Sequence, residues 1–241
     1  MTPEEAAVDS ADAVAHLTGR FMLDMATYQY GAEIGFPGMA FYTGGRGGVL
    51  GDVDAQAVTD AFFFFHPDQV KTNWDQAREV MGRDKAALEF QQSGSKWADD
   101  HIPDHIDAAT LASLAQRVAE AADAADAPVF AGWRRLPVPE SPKAAAAHWM
   151  NALRELRFAL HADALRRQGV SPHDAVSHKQ PQMIPIFGWG AASDLSEATV
   201  ADWEQAEADT NRGMAEALSV LSPDELDAFV ALANATYAAT A

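Results

Sequence analysis

From Lys143 to Gln168 the chain reads KAAAAHWMNALRELRFALHADALRRQ, with no glycine or proline to interrupt a helix before Gly169. At about 100° per residue, Trp149, Leu153, Leu156 and Leu160 form one apolar stripe. Arg154, Arg157 and His161 share a second flank, and His148, Asn151 and Glu155 a third. Met150, Phe158 and Leu165 fall among these polar residues, so no side is left as a clean solvated face. Such a helix has to be surrounded by other elements, with its polar groups turned into a cavity or a buried network. The pattern predicts an all-α, single helical domain around a buried central helix, residues 143–168.

The remaining periodicity agrees. Val14, Leu17, Phe21, Met25 and Tyr28 recur at helical spacing and predict a helix over 11–31, after a frayed start at 1–10. Further helices are expected over 54–65, with Asp52 or Asp54 as N-cap, and over 67–82, 85–97 and 107–126. A C-terminal helix pair, 196–218 and 223–238, closes the chain, the second opened by the SPDE box at Ser222–Glu225. AGWRRLPVPESP reads as a connector, residues 171–193 as an irregular segment, and VLGDV as the only place for a short strand. The domain division expected is 1–190 for a helical pocket domain and 191–241 for the helix pair.

Thirty-five acids against 17 lysines and arginines give a formal charge of −18. The arginines come in pairs (134/135, 154/157, 166/167) diluted by acids, which argues against a nucleic-acid surface. Without cysteine, disulfides, thiolate catalysis and cysteine-based zinc sites are excluded. The acidic N-terminus has no signal-peptide pattern, and no apolar run approaches a membrane span. The expectation is a cytoplasmic protein.

Four stretches invite a chemical reading. FYTGGRGGVLGD sets Arg46 among glycines; it lacks the GK[ST] of a phosphate loop and the GxGxxG of a dinucleotide site, but its amides and guanidinium suit an anion. On the central helix, Arg154, Arg157 and His161 suit a carboxylate or phosphate, or else ordinary interhelical ion pairs. AFFFFHP offers an aromatic core or an aromatic pocket wall (Phe62, Phe65) with His66 at its rim. In WADDHIPDHID, His101 and His105 have HxxxH spacing, yet Pro103 between them opposes the shared helical face a metal needs. No pattern names a cofactor.

FYTGGRGGVLGDVDAQAVTDAFFFFHP, WRRLPVP, HWMNALRELRFALHADALRRQGV and PIFGW together resemble an uncharacterised actinobacterial all-helical family whose members usually carry a winged-helix (helix-turn-helix) segment near the C-terminus. The likeness spans roughly 20–190 and includes Arg46, Gly51, Phe62, Phe63, Phe65 and Pro67 in the family pattern. It implies a fold and a residue set, not a reaction. After Trp189 the chain departs from it: no lysine or arginine lies between Gln180 and Asn211, so the wing is read as degenerate and unable to hold phosphates.

These readings converge on a small-molecule-binding, sensor-like protein without a nucleic-acid or membrane partner and with homodimerisation as an option. Its pocket, for an anionic or carboxylate-bearing ligand, would be lined by Tyr42, Arg46, Phe62, Phe65, His66, His148, Asn151, Arg154, Glu155, Arg157 and His161. The alternatives are an enzyme with Glu155 or His148 as general base and arginine anion stabilisation, and a non-catalytic helical protein that binds a partner.

Overall fold

The computed structural model describes residues 1–240, and among them there is no strand. The helices are α1 (Pro3–Asp9), α2 (Ala11–His16), α3 (Gly19–Leu23), α4 (Met25–Glu33), α5 (Ala40–Gly47), α6 (Ala55–Phe62) and α7 (Pro67–Val80). They continue as α8 (Arg83–His101), α9 (Ala108–Ala121), α10 (Pro128–Trp133), α11 (Pro142–Gln168), α12 (Pro172–Lys179), α13 (Glu197–Leu218) and α14 (Pro223–Ala239). The all-α class is therefore as expected, with α11 at the centre.

Most of α11 is buried, from Ala144 to Leu165, and it packs against α9, α13, α8, α10 and α2. Gly169, at φ 73°, ends it in the left-handed conformation that a side chain would resist. α13 lies along α11 and α1, while α14 packs on α9, α2 and α1. Met214, Leu218 and Phe229 thereby join the same core as Leu111, Trp133 and Leu153. A smaller cluster of Phe63, Ala162, Leu165, Val170, Ala175 and Trp203 fills the space where the end of α11 meets α12, α13 and the turn after α6.

Several local expectations change, each for a visible reason. Residues 1–10 are not frayed: Thr2 and Glu5 form a capping box, and Ala6 and Ala7 are buried under the C-terminal helices. The helix expected over 11–31 is three helices. Its first break places the Thr18 hydroxyl on Asn151 Oδ1 at 3.0 Å, and its second uses Asp24 to cap α4 through the Ala26 amide at 2.7 Å. The VLGDV stretch is a 3-10 turn over Gly48–Leu50 rather than a strand. The segment read as irregular contains α12, and α10 runs into the start of the expected connector at 131–133; each begins with a proline, whose fixed φ suits a first helical turn.

The largest change is at FYTGGRGG, which is helix α5 and not a loop, with every residue buried. Glycine normally disfavours a helix by roughly 1 kcal/mol relative to alanine, so packing has to offset that preference. Here it does so by close approach. A Cβ on Gly44 would come within 2.6 Å of Ala77, one on Gly45 would overlap Phe90, and one on Gly48 would overlap the Arg83 carbonyl. The glycines let α5 sit directly against α7 and α8.

Gly45→Ala and Gly48→Ala should each destabilise the fold by about 1–3 kcal/mol, the usual cost of overpacking a core. Gly190→Ala, where an added Cβ meets nothing within 4 Å, should change stability by under about 0.5 kcal/mol. Urea unfolding of the three variants tests this; equal midpoints would show that α5 does not depend on the close approach.

Candidate functional site

The fully buried Arg46 carries α5 onto α11 through a forked ion pair. Its Nε donates to Glu155 Oε1 at 2.9 Å and its Nη2 to Oε2 at 2.7 Å. Nη1 donates to the Tyr42 hydroxyl at 3.1 Å. The guanidinium lies between the rings of Phe62 and Phe158, each 4.3 Å from its centre. Arg154 Nη1 adds a third donor to Glu155 Oε1 at 2.7 Å. Burial works against both charges, but each is outweighed by its partners: Glu155 stays well below the usual carboxylate range under Arg46 and Arg154, and Arg46 is raised above its ordinary value.

A second set of groups links α11 to α13. Arg157 Nη2 donates to Glu207 Oε1, and His161 Nδ1 lies 3.6 Å from Glu207 Oε2. Thr210 gives its hydroxyl proton to the Ala206 carbonyl, so it accepts from His161 Nδ1 at 3.0 Å, which fixes the tautomer of the neutral ring. Beside this pairing is a cavity of about 260 Å³, whose walls include Tyr42, Phe65, Arg154, Arg157, His161 and Trp203. Arg154 Nε and Arg157 Nη1 have no hydrogen-bond partner in the protein.

The residues expected to form one pocket are thus divided. Tyr42, Phe65, Arg154, Arg157 and His161 meet at the cavity, whereas Arg46, Phe62 and Glu155 are absent from its walls and locked in the ion pair and its aromatic cover. His148 is buried elsewhere, with Nδ1 accepting from the Gln91 amide at 2.9 Å. Asn151 holds Thr18. His66 caps α7 by accepting the Asp68 amide at 3.2 Å and packs on Trp189. Neither Glu155 nor His148 is poised as a general base: the carboxylate oxygens are taken by two arginines, and burial pushes His148 down to about 4. His101 bonds the Trp97 carbonyl at 2.8 Å and stacks on that ring, and the described residues contain no cluster suited to a metal. Sequence reading missed Glu207, Trp203 and Thr210. Their spacing with Ala206 and Met214 on one face of α13 was the available signal.

Two connections are short turns with a positive-φ residue: α6 to α7 through Phe63 (φ 31°), and α11 to α12 through the left-handed Gly169. Their charge differs. Residues 154–179 hold five lysines and arginines against three acids, in a chain of net −18. Arg166, Arg167 and Lys179 are exposed there. Arg166 also ties the two connections together, donating to the Asp60 carbonyl at 2.7 Å and lying 4.6 Å over the Phe63 ring.

These features belong to an all-helical protein with short helix–turn–helix connections. The chain is a member of the helix-turn-helix family, whose model matches residues 7–185. No curated protein and no solved structure matches the chain. Membership overturns the expectation of a small-molecule sensor or enzyme without a nucleic-acid partner, because the helix-turn-helix motif that gives the family its description is one that, as a class, points toward DNA. The family match ends at residue 185, before the cation-free stretch expected to hold a degenerate wing, and contains α11 and α12. No described helix is long and apolar enough to cross a membrane.

Burial lowers both His148 and His161 from the ordinary 6.5 to about 4, against the opposing pull of Glu207 on His161. The unfolded chain therefore binds more protons between those values, and stability must fall as pH drops from about 6.5 towards 4. His148→Gln should flatten that dependence by up to about 1.4 kcal/mol per pH unit. Urea unfolding across the interval measures it, and an unchanged slope would rule out a neutral, buried His148.

Proposed function

We propose that the protein binds double-stranded DNA, with α11–α12 as its helix-turn-helix and α12 as the helix presented to the groove. The carrying observation is that the stretch matched to the family includes a helix pair, α11–α12, in which lysines and arginines outnumber acids although the chain as a whole is acidic. Arg167 and Lys179 would meet phosphates, and Arg166 would hold the pair at a set angle on the α6–α7 turn. The protein would act in the cytoplasm.

Net charge does not decide against this reading. At physiological ionic strength the Debye length is about 8 Å, so acids further than that from a bound phosphate are largely screened. Local cations dominate the contact itself, since each phosphate neutralised releases counterions and contributes about −0.9 to the slope of log K against log salt.

Binding of a labelled 30-base-pair duplex, followed by anisotropy from 50 to 200 mM KCl, should give a slope of about −2 if Arg167 and Lys179 each engage a phosphate. Arg167→Ala and Lys179→Ala should each make it shallower by about 1 and weaken binding to all sequences alike. Absence of binding at 50 mM salt would contradict the proposal. Loss confined to Lys71→Ala or Arg78→Ala would move the contact to α6–α7.

A further inference from the structure

The chain beyond residue 185 lies outside the family match, yet it closes over the proposed DNA-binding unit. Residues 189–193 run across α12. Trp189 stacks on the His173 ring with centroids 4.9 Å apart, and His173 Nε2 donates to the Ala191 carbonyl at 2.7 Å. The Ser193 hydroxyl donates to His173 Nδ1 at 3.2 Å, and the Ser193 amide donates to Ser177 Oγ at 2.9 Å. This strap is anchored at its start as well, by Trp189 Nε1 on the Phe64 carbonyl at 2.8 Å.

α13 follows the strap and engages the same unit. Asp209 lies 3.8 Å from Arg167, and Glu207 takes Arg157. Lys179 sits 5.3 Å over the ring of Trp203. The only charged residues from Gln180 to Asn211 are acids. Strap and helix therefore occupy, on α12 and on the cations of the α11–α12 unit, the positions that a groove and its phosphates would take.

From this placement we infer that the C-terminal segment, residues 189–209, is an autoinhibitory cover that competes with DNA for the α11–α12 unit. The inference rests on the DNA-binding reading. Binding requires the strap to leave α12 and Asp209 to release Arg167, so the observed affinity is the intrinsic one reduced by the fraction of open molecules.

The cysteine-free chain permits a direct test in the full-length protein. Ser177→Cys combined with Ser193→Cys sets a reversible disulfide between strap and helix, its closure checked by intact mass. Oxidation should weaken binding of the 30-base-pair duplex about tenfold or more, and reduction should restore it. Separately, Asp209→Asn should tighten binding and steepen the salt slope by about 0.9, a gain that Arg167→Ala removes. Asp126→Asn, an exposed acid on the α9–α10 loop, should not reproduce that gain. Equal affinity of the oxidised and reduced forms, with no change in Asp209→Asn, would overturn the cover while leaving DNA binding intact. If neither wild type nor Asp209→Asn binds duplex at 50 mM KCl, DNA binding itself has failed.

Discussion

A guanidinium and a carboxylate, both wholly removed from water, join helix α5 to the central helix α11. Desolvating each charge costs several kcal/mol, and a buried pair recovers that only through good geometry and satisfied hydrogen bonds. Here the fork from Arg46 to Glu155, the third donor from Arg154 and the phenol of Tyr42 supply them. Removing one partner of such a pair typically costs about 3–5 kcal/mol, because the other charge is left uncompensated. Helices α5, α6 and α11 are consequently held in one register, with Phe62 and Phe158 closing over the charge. The glycines flanking Arg46 serve the same end. Without them α5 could not lie close enough to α7 and α8 to keep Arg46 away from water.

α11 carries that rigidity outward. Its middle is fixed by the ion pair, while its last turn emerges with Arg166 and Arg167 exposed and ends at Gly169. The small cluster around Phe63, Leu165 and Trp203 then sets α12 against the end of α11. One long helix thus connects a dry, tightly paired interior with a charged helix pair at the surface. The cavity lies between these two regimes, and its arginines answer to Glu155 and Glu207, acids of α11 and α13. Arg157 opposite Glu207 and Arg167 near Asp209 are the contacts through which, on the proposed reading, the C-terminal segment would compete with DNA.

The central helix was legible because Met150, Phe158 and Leu165 left its polar residues no solvated face, and the structure buries Asn151, Glu155 and Arg157 as that pattern requires. The Ser222–Glu225 box likewise marked the start of α14. Local signals misled where tertiary contact overrules propensity. The run around Arg46 looks like a mobile loop by composition, and only the opposing surfaces of Ala77, Phe90 and the Arg83 carbonyl make it a helix. Within the expected pocket, Arg154, Arg157 and His161 share one flank of a helix and do meet at a cavity. His148 sits on the same helix but on another flank, where its ring meets Gln91 of α8, and His66 caps α7, so neither reaches the cavity. The nucleic-acid reading was missed for a different reason. Net charge averages over the whole chain, whereas phosphate contacts depend on a few exposed cations within one unit.

Hydrogen–deuterium exchange of the intact protein, with and without a 30-base-pair duplex at low salt, tests the central claim most directly. Binding through α11–α12 predicts slowed amide exchange concentrated in residues 163–179, with the buried α5 unchanged. Protection that appears only elsewhere, or none at saturating duplex, would contradict it.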